Sequence, residues 1–316
     1  MQALILAGGE GTRLRPLTAT VPKPVITLVD RPFAAFMLEW LRGHGVDDVI
    51  MSCGFLADRV REVLGDGGRY GLRLRYLTEP EPLGTGGALK FAEDLLDERF
   101  LMLNGDVLTD IDLTAQIAQH ERTGASGTLA LVRVADPSQY GLVRAGDDGV
   151  VAQFLEKPED GGASPGVDTI SAGAYVLERS VLGLLEPGRR ASIERDVFPR
   201  LVGHGLYAFL SNGYWLDVGT PERYLQGTFD ILEGRVASHV QADGGVLIGA
   251  GCTIAGEVTA PAVLGPGVSV GRGSRVERAA VLDGARVGED CVLRDCIVAP
   301  GSVVGDGARI VGEVIG

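Results

Sequence analysis

Apolar positions along the first hundred residues alternate between two spacings. Residues 2–7 (QALILA) form a continuous apolar run closed by Gly8-Gly9, the pattern of a buried strand. Residues 33–43 (FAAFMLEWLRG) put apolar side chains at helical spacing and stop near Gly43 and Gly45. Residues 48–53 then read as a strand and 57–64 as a helix closed by Gly65. Residues 72–78 alternate like a strand, 86–96 read as a helix, and 100–104 as a buried strand. Strands alternating with helices predict βαβ units and a largely parallel sheet, with ligands beyond the carboxyl ends of the strands. The loops after 2–7 and 100–104 are therefore the places to look for chemistry. From 128 to 218 a mixed pattern extends the sheet through irregular loops, and 221–235 predicts a helix with Pro in its first turn.

From about residue 246 the texture changes to a six-residue beat, an aliphatic residue followed by Gly. Ile248 leads to Ile254, Leu264 to Val270 and Val276, and Val298 to Val304 and Ile310. The beat slips by one residue near 282–287 and 293–298. Such a beat is the mark of a parallel β-helix, here of about four coils, with the aliphatic residues stacked inside.

Composition narrows the function. Positive charges number 29 and negative 42, a net charge of −13, which argues against nucleic acid and against an anionic membrane surface as partners. No stretch approaches the ~18 apolar residues of a membrane span, and the N-terminal run breaks at Gly8 without a basic segment before it, unlike a signal peptide. The cysteines, Cys53, Cys252, Cys291 and Cys296, form no CxxC and no zinc spacing, so they read as buried free thiols of a cytoplasmic protein. Lysine is confined to Lys23, Lys90 and Lys157, and Lys90 is expected on an exposed helix face.

The loop after the first strand reads LAGGEGTRLRPLT, followed by Pro22-Lys23-Pro24. A Gly-rich turn lets backbone N–H groups approach phosphate oxygens. This one is neither G-x-G-x-x-G opening a helix nor a Walker A loop. Within 8–31, Arg13, Arg15, Lys23 and Arg31 oppose only Glu10 and Asp30, a basic island in an acidic protein that suits a small polyanion.

These residues resemble the signature of the sugar-1-phosphate nucleotidylyltransferases, the nucleotide-sugar pyrophosphorylases. The resemblance continues in the family's order over about residues 2–225. Its further segments are EPEPLGTGGA from Glu79, LNGDV from Leu103, QYG from Gln139, FLEKP from Phe154, ISAGAY from Ile170 and YWLDVGTP from Tyr214. With SIERDVFP from Ser192 and the hexapeptide tail, the chain is most similar to the mannose-1-phosphate guanylyltransferase subgroup. The resemblance implies an α/β, Rossmann-like nucleotidyltransferase domain over 1–235, with a mixed, mostly parallel sheet, and a left-handed hexapeptide β-helix over 236–316.

The reaction it implies joins a nucleoside triphosphate to a sugar 1-phosphate and releases pyrophosphate. The attacking phosphate is already anionic, so catalysis is positioning and charge neutralisation. Arg13 and Lys23 take the catalytic roles. Leu6, Ala7, Gly8, Gly9, Gly11, Thr12, Glu79, Pro82, Gly84 and Thr85 would bind the nucleotide. Asn104, Gly105, Tyr140, Gly141, Glu156, Lys157, Ser171 and Ala172 would bind the sugar phosphate, and Asp106 and Asp217 would hold Mg²⁺. Trp215 is read as core. An acceptor-only carboxylate at Glu79 suits the adjacent N1–H and N2 donors of guanine, which favours GTP, and the subgroup favours mannose 1-phosphate. Ser171 replaces the Asn usual in its segment, and Leu83 replaces an Asp of many thymidylyl members. Thymidylyl or uridylyl transfer to glucose 1-phosphate, and guanylyl transfer to a heptose or cyclitol phosphate, stay open as alternatives. A catalytically silent regulatory paralogue is disfavoured because Arg13, Lys23, Asp106 and Asp217 are all present. An acetyltransferase tail is disfavoured because 246–316 contains no His. A homo-oligomer is expected through the open end of the β-helix.

Overall fold

The computed structural model describes residues 1–54, 56–156 and 168–316. The chain divides into two compact units, one of Met1–Gly9 with Met37–Trp215, the other of Glu10–Phe36 with Leu216–Gly316.

The first unit is built on a nine-stranded sheet. Its strands are β1 (Gln2–Ala7), β2 (Asp48–Cys53), β3 (Arg73–Thr78), β4 (Arg99–Asn104), β5 (Gly127–Arg133), β6 (Leu142–Ala145), β7 (Val151–Leu155), β8 (Thr169–Glu178) and β9 (Leu206–Leu210). They lie in the order β7-β6-β8-β4-β1-β2-β3, with β5 against β8 and β9 against β5. Strands β4, β1, β2 and β3 are mutually parallel. Strand β8 runs antiparallel to β4 and β5, so the sheet is mixed. The near-continuous apolar runs of β1, β2 and β4 are what strands covered on both faces require. Leu4, Ile50, Phe100, Met102 and Leu129 meet Tyr175 and Phe198 in the core. The helices Phe33–Gly43 and Ala57–Leu64 match their expected bounds. The expected helix over 86–96 is instead the α-helix Gly84–Phe91 followed by a separate 3-10 turn, Glu93–Leu95.

A buried polar cluster lies on the helix Leu113–Thr123. His120 is fully buried, with Nδ1 at 2.9 Å from Thr128 Oγ1 and Nε2 at 2.9 Å from Glu178 Oε1. Glu178 also accepts from Arg99 Nε at 2.5 Å, and Arg99 pairs with Glu121 at 2.9 Å.

In the second unit, residues 10–36 hold the 3-10 turns Thr12–Leu14 and Lys23–Val25 and a short hairpin of Thr27–Leu28 with Arg31–Pro32. The helix Pro221–Leu232 has Thr220 as its N-cap, whose hydroxyl accepts from Arg223 N, and Tyr224 is fully buried with its hydroxyl bound to Thr27 O. The tail is a parallel β-helix. The strands Val246–Ile248, Glu257–Leu264, Arg275–Val281, Val292–Val298 and Arg309–Val311 stack in register along one sheet. Thr253–Ile254, Ser269–Val270, Arg286–Val287 and Val303–Val304 stack along another.

The slipping beat has a structural cause. Arg275 pairs with Val292 and Val292 with Arg309, so these coils are 17 residues long and one of their three sides has five residues instead of six. The short side turns at Arg278 and Asp295, which adopt left-handed φ values of 48° and 47° and fall outside the paired residues on either side. Their side chains join at 2.6 Å, and the Arg278 guanidinium lies 4.9 Å above the Phe229 ring of the helix Pro221–Leu232. Cys291 and Cys296 pack inside the β-helix among Val276, Val281, Leu293 and Val298. All four cysteines are free, and burial pushes the Cys53 and Cys296 thiols up to about 12, as inert interior thiols require. No helix among the described residues is long and apolar enough to cross a membrane.

Burial holds the His120 pKa below its ordinary 6.5 and outweighs the opposing pull of Glu178. As pH falls, the unfolded chain takes up this proton first, so the stability is complete above the ordinary value and lost below it. The midpoint of thermal unfolding is therefore expected to drop by a few degrees between about pH 7.5 and about pH 5.5, and the drop to flatten in His120→Gln. Calorimetry over that range checks it.

Candidate active site

In the first unit the site forms where β1, β2 and β4 end. Gly105 N donates to Leu6 O at 2.9 Å, which holds the loop carrying Asn104, Gly105 and Asp106 against the end of β1. A Cβ on Gly105 would sit 2.6 Å from that carbonyl oxygen, so only glycine permits the approach. Leu6 and Ala7 close β1, and Gly8 lies beside Gly54 at the end of β2.

Glu79 braces this edge. Its Oε1 accepts from the buried Ser52 hydroxyl at 2.9 Å, and its Oε2 from Leu83 N at 3.1 Å. Oε1 also lies 3.5 Å from where a side chain on Gly8 would begin. Each carboxylate oxygen has a second lone pair, so this anchoring leaves acceptor capacity for a ligand. Ser52 was not foreseen; the signal was one hydroxyl in an otherwise apolar strand.

The segment after Glu79 is held by residues far away in sequence. Gly86 N and Gly87 N donate to Ala191 O at 2.9 and 3.2 Å, and Ala191 N donates to Leu83 O at 3.0 Å. Gly84 has φ +73°, and a Cβ there would lie 2.6 Å from Ala191 O. The Thr85 hydroxyl donates to Glu194 Oε2 at 2.6 Å and accepts from Ile193 N at 3.0 Å. Pro82 is exposed. Gly84 and Thr85 are thus packed against the segment 191–194.

The residues expected to bind the sugar phosphate converge. Ser171 N donates to Gly141 O at 2.9 Å, and the Glu156 carboxylate abuts Gly141, with Oε2 2.7 Å from where a side chain would begin. The Asn104 amide similarly abuts Gly173 at 2.8 Å. Ser171 Oγ and Tyr175 Oη lie 3.0 Å apart. Tyr140 meets Trp215 edge-on at 5.3 Å, and the indole N–H of Trp215 donates to Ala172 O at 2.8 Å. Trp215, expected in the core, is half-buried and belongs to this group, held by its ring contact with Tyr140 and its indole N–H on Ala172. The Tyr175 hydroxyl is shifted far upward by burial, then by the charge of Glu194, with Glu156 and Asp106 adding to it and the Ser171 bond opposing it. The charges of three carboxylates therefore act on one buried phenol.

The basic loop and Asp217 belong to the second unit. Gly11 caps the turn Thr12–Leu14 in a left-handed conformation, and its carbonyl accepts from Leu14 N at 2.9 Å and from Thr18 Oγ1 at 2.7 Å. Lys23 is buried, at 8% exposure, with its Cβ beside Gly11, whereas Thr12 and Arg13 are exposed. Arg13 Nη2 and Asp217 Oδ1 lie 2.7 and 3.1 Å from where a side chain on Gly219 would begin. Asp217 Oδ1 is buried and takes no hydrogen bond, while other interactions engage the residue. No group of three or more His, Cys, Asp or Glu side chains that could hold a metal occurs among the described residues. Lys90 is not on a free surface: its ammonium donates to Leu182 O at 3.1 Å and pairs with Glu93 at 2.8 Å. Lys157 lies outside the described residues.

The model of the family described as nucleotidyl transferase matches residues 2–234. The chain belongs to the nucleotidyl transferase family. A second model, GlmU-like C-terminal hexapeptide, matches residues 235–314 of this nucleotidyl transferase. The mannose-1-phosphate guanylyltransferase of Mycobacterium tuberculosis is 37% identical over 93% of this chain and 83% of its own length. Mannose-1-phosphate guanylyltransferase 1 of Arabidopsis thaliana is 34% identical over 98% of this chain and 89% of its own. Among solved structures, HddC from Yersinia pseudotuberculosis is 28% identical, with a TM-score of 0.63 over 73% of this chain and 99% of that one. A structure of HddC complexed with GMP-PN is 29% identical, with a TM-score of 0.62 over 73% of this chain and 99% of that one.

Within this nucleotidyl transferase, Gly105→Ala should force the Leu6 and Gly105 backbones apart. We expect a loss of about 1–3 kcal/mol in urea unfolding. Unchanged stability would show that the loop carrying Asp106 is not set by this contact.

Proposed function

We propose that this nucleotidyl transferase joins GTP to mannose 1-phosphate, giving GDP-mannose and pyrophosphate. The observation that carries the substrate pair is near full-length similarity, at 34–37% identity, to proteins named mannose-1-phosphate guanylyltransferase. The complex of the similar HddC fold with GMP-PN supports guanine as the base. Glu79, held by Ser52 and Leu83, is the acceptor for guanine's paired donors.

A sugar-phosphate oxygen attacks the α-phosphorus, that P–O bond forms, and the bond to the bridging oxygen of pyrophosphate breaks. Both reactants are polyanions, so the barrier is largely one of bringing charges together. Arg13 neutralises the triphosphate and the leaving pyrophosphate. Lys23, a compact point charge held by its buried turn, stands between the two reacting phosphates. Glu156 accepts from sugar hydroxyls, Gly141 and Ser171 line the sugar, and Lys157 meets its phosphate. Asp106 and Asp217 would hold Mg²⁺, an ion that takes one or two protein carboxylates and fills the rest of its shell with water and substrate phosphates. The ion would supply positive charge to the phosphate oxygens.

The boundary 235/236 is our reading of where the catalytic domain passes into the β-helix, and the family models, which meet one residue earlier at 234/235, support it. A homo-oligomer is likewise a proposal, supported by the exposed aliphatic residues Ile248 and Ile254 in the first coil. A cytoplasmic location is supported by the four free cysteines.

The test is pyrophosphate release from nucleoside triphosphates crossed with mannose, glucose, N-acetylglucosamine and heptose 1-phosphates in the presence of Mg²⁺. GTP with mannose 1-phosphate is expected to dominate. A dominant signal from dTTP or UTP would retain the reaction and remove Glu79 as a guanine reader. In the same assay Asp217→Asn should shift the Mg²⁺ titration to higher concentration by about tenfold or more. A superimposable titration would take Asp217 out of the metal site.

A further inference from the structure

Residues 192–196 (SIERD) have no role in the reaction described above, yet they hold Thr85 on one side and lead into Phe198, packed on Tyr175, on the other. Ser192 caps the π-helical turn Ile193–Val197, accepting from Arg195 N at 3.2 Å, and Ser192 N donates to Asp196 Oδ2 at 2.8 Å. That turn fixes Glu194. Its Oε2 accepts from two hydroxyls, Thr85 at 2.6 Å and Ser192 at 2.7 Å. Thr85 is itself held, because it accepts from Ile193 N at 3.0 Å. The half-buried carboxylate is therefore locked through one oxygen. Its other oxygen, Oε1, accepts no hydrogen bond among the described residues.

The same turn leads into Phe198, whose ring lies 5.0 Å from that of Tyr175. The Tyr175 hydroxyl meets Ser171 and feels the Glu194 charge more strongly than that of Glu156 or Asp106. Glu194, on the turn that packs Phe198 against Tyr175, and Glu156, against Gly141 beside Ser171, both act on this phenol, and each is an acceptor-only group. Such a wall repels phosphate and receives neutral donors, which is the chemistry of a polyol.

We propose that Glu194 reads the sugar: Oε2 is pinned by Thr85 and Ser192, and Oε1 accepts a hydroxyl of the sugar 1-phosphate. The inference rests on the sugar-1-phosphate reading above and adds the residue that sets hydroxyl specificity. A locked acceptor loses little freedom when the ligand arrives, so it discriminates strongly against a ligand lacking the donor.

Two variants separate the two oxygens. Glu194→Gln keeps the shape and a carbonyl oxygen for the Thr85 and Ser192 hydroxyls, and presents an NH₂ donor where the free acceptor stood. Thr85→Val removes one of the two tethers and leaves the carboxylate. Thermal unfolding of each variant checks that it folds. With Glu194→Gln, KM for mannose 1-phosphate should rise about 10- to 100-fold while KM for GTP stays within about twofold. Monodeoxy mannose 1-phosphates supply the decisive readout. Wild type should penalise loss of one hydroxyl by about tenfold or more, and Glu194→Gln should abolish that penalty at that position alone. Thr85→Val should blur the discrimination and raise KM for GTP.

An unchanged deoxy profile in Glu194→Gln overturns the proposal. So does a parallel rise in both KM values, which marks a merely structural residue. A changed preference for GTP over ITP also overturns it, since Glu194 would then read the base. Wild-type preference for another sugar fails the mannose reading alone, and that sugar's deoxy series then tests Glu194 in the same way. Should wild type turn over no sugar, calorimetric binding of mannose 1-phosphate decides, and equal affinity of wild type and Glu194→Gln overturns the proposal.

Discussion

Strand β1 is paired in parallel on both edges, with β2 and with β4, so the chain leaves all three strands from the same side of the sheet. Gly8, Gly54 and Gly105 are the first residues beyond or near those ends, and a Cβ on Gly54 or Gly105 would lie 2.9 or 2.6 Å from a backbone oxygen of the neighbouring strand end. Strand β8 then runs antiparallel beside β4, with Ala174 opposite Leu103. Its early residues, Ser171 to Gly173, are therefore delivered next to Asn104 at that same edge. A parallel half supplies one wall of the site and an antiparallel half the other. The reversal at β8 is what lets residues separated by about seventy positions line one cavity edge.

Much of this could be read from the chain. The runs QALILA, DVIMSC and FLMLN are apolar enough to be strands buried on both faces, and the helices Phe33–Gly43 and Ala57–Leu64 end at glycines where expected. The residues brought together around Gly141, Glu156, Ser171 and Asn104 were likewise foreseen as one group. Local pattern carries such information because burial and helical spacing are properties of short windows.

The misses share another cause. Gly84, Gly86 and Gly87 admit the backbone of Arg189 to Ile193, a hundred residues later, a contact that the local pattern does not announce. Trp215 looks like core, yet its N–H is satisfied by a carbonyl beside Ser171. Lys90 looks like a surface lysine, but its ammonium is held by the Leu182 carbonyl and Glu93. Each depends on a partner far away in sequence, which no window reports. Glu194 belongs to the same class: its segment was legible as a family mark, whereas its task depends on Thr85 and Tyr175.

The 17-residue coil of the tail sets how this part of the chain can change over evolutionary time. Interior side chains stack vertically, coil on coil, and the bend at Arg278 is repeated at Asp295. Losing or gaining a single residue would rotate every later aliphatic position out of the interior column and point a polar one into it. Removing a whole coil leaves all remaining columns intact. Length variation among descendants of this chain should therefore come in steps of one complete coil, a quantised inheritance that the looser loops of the first unit do not share.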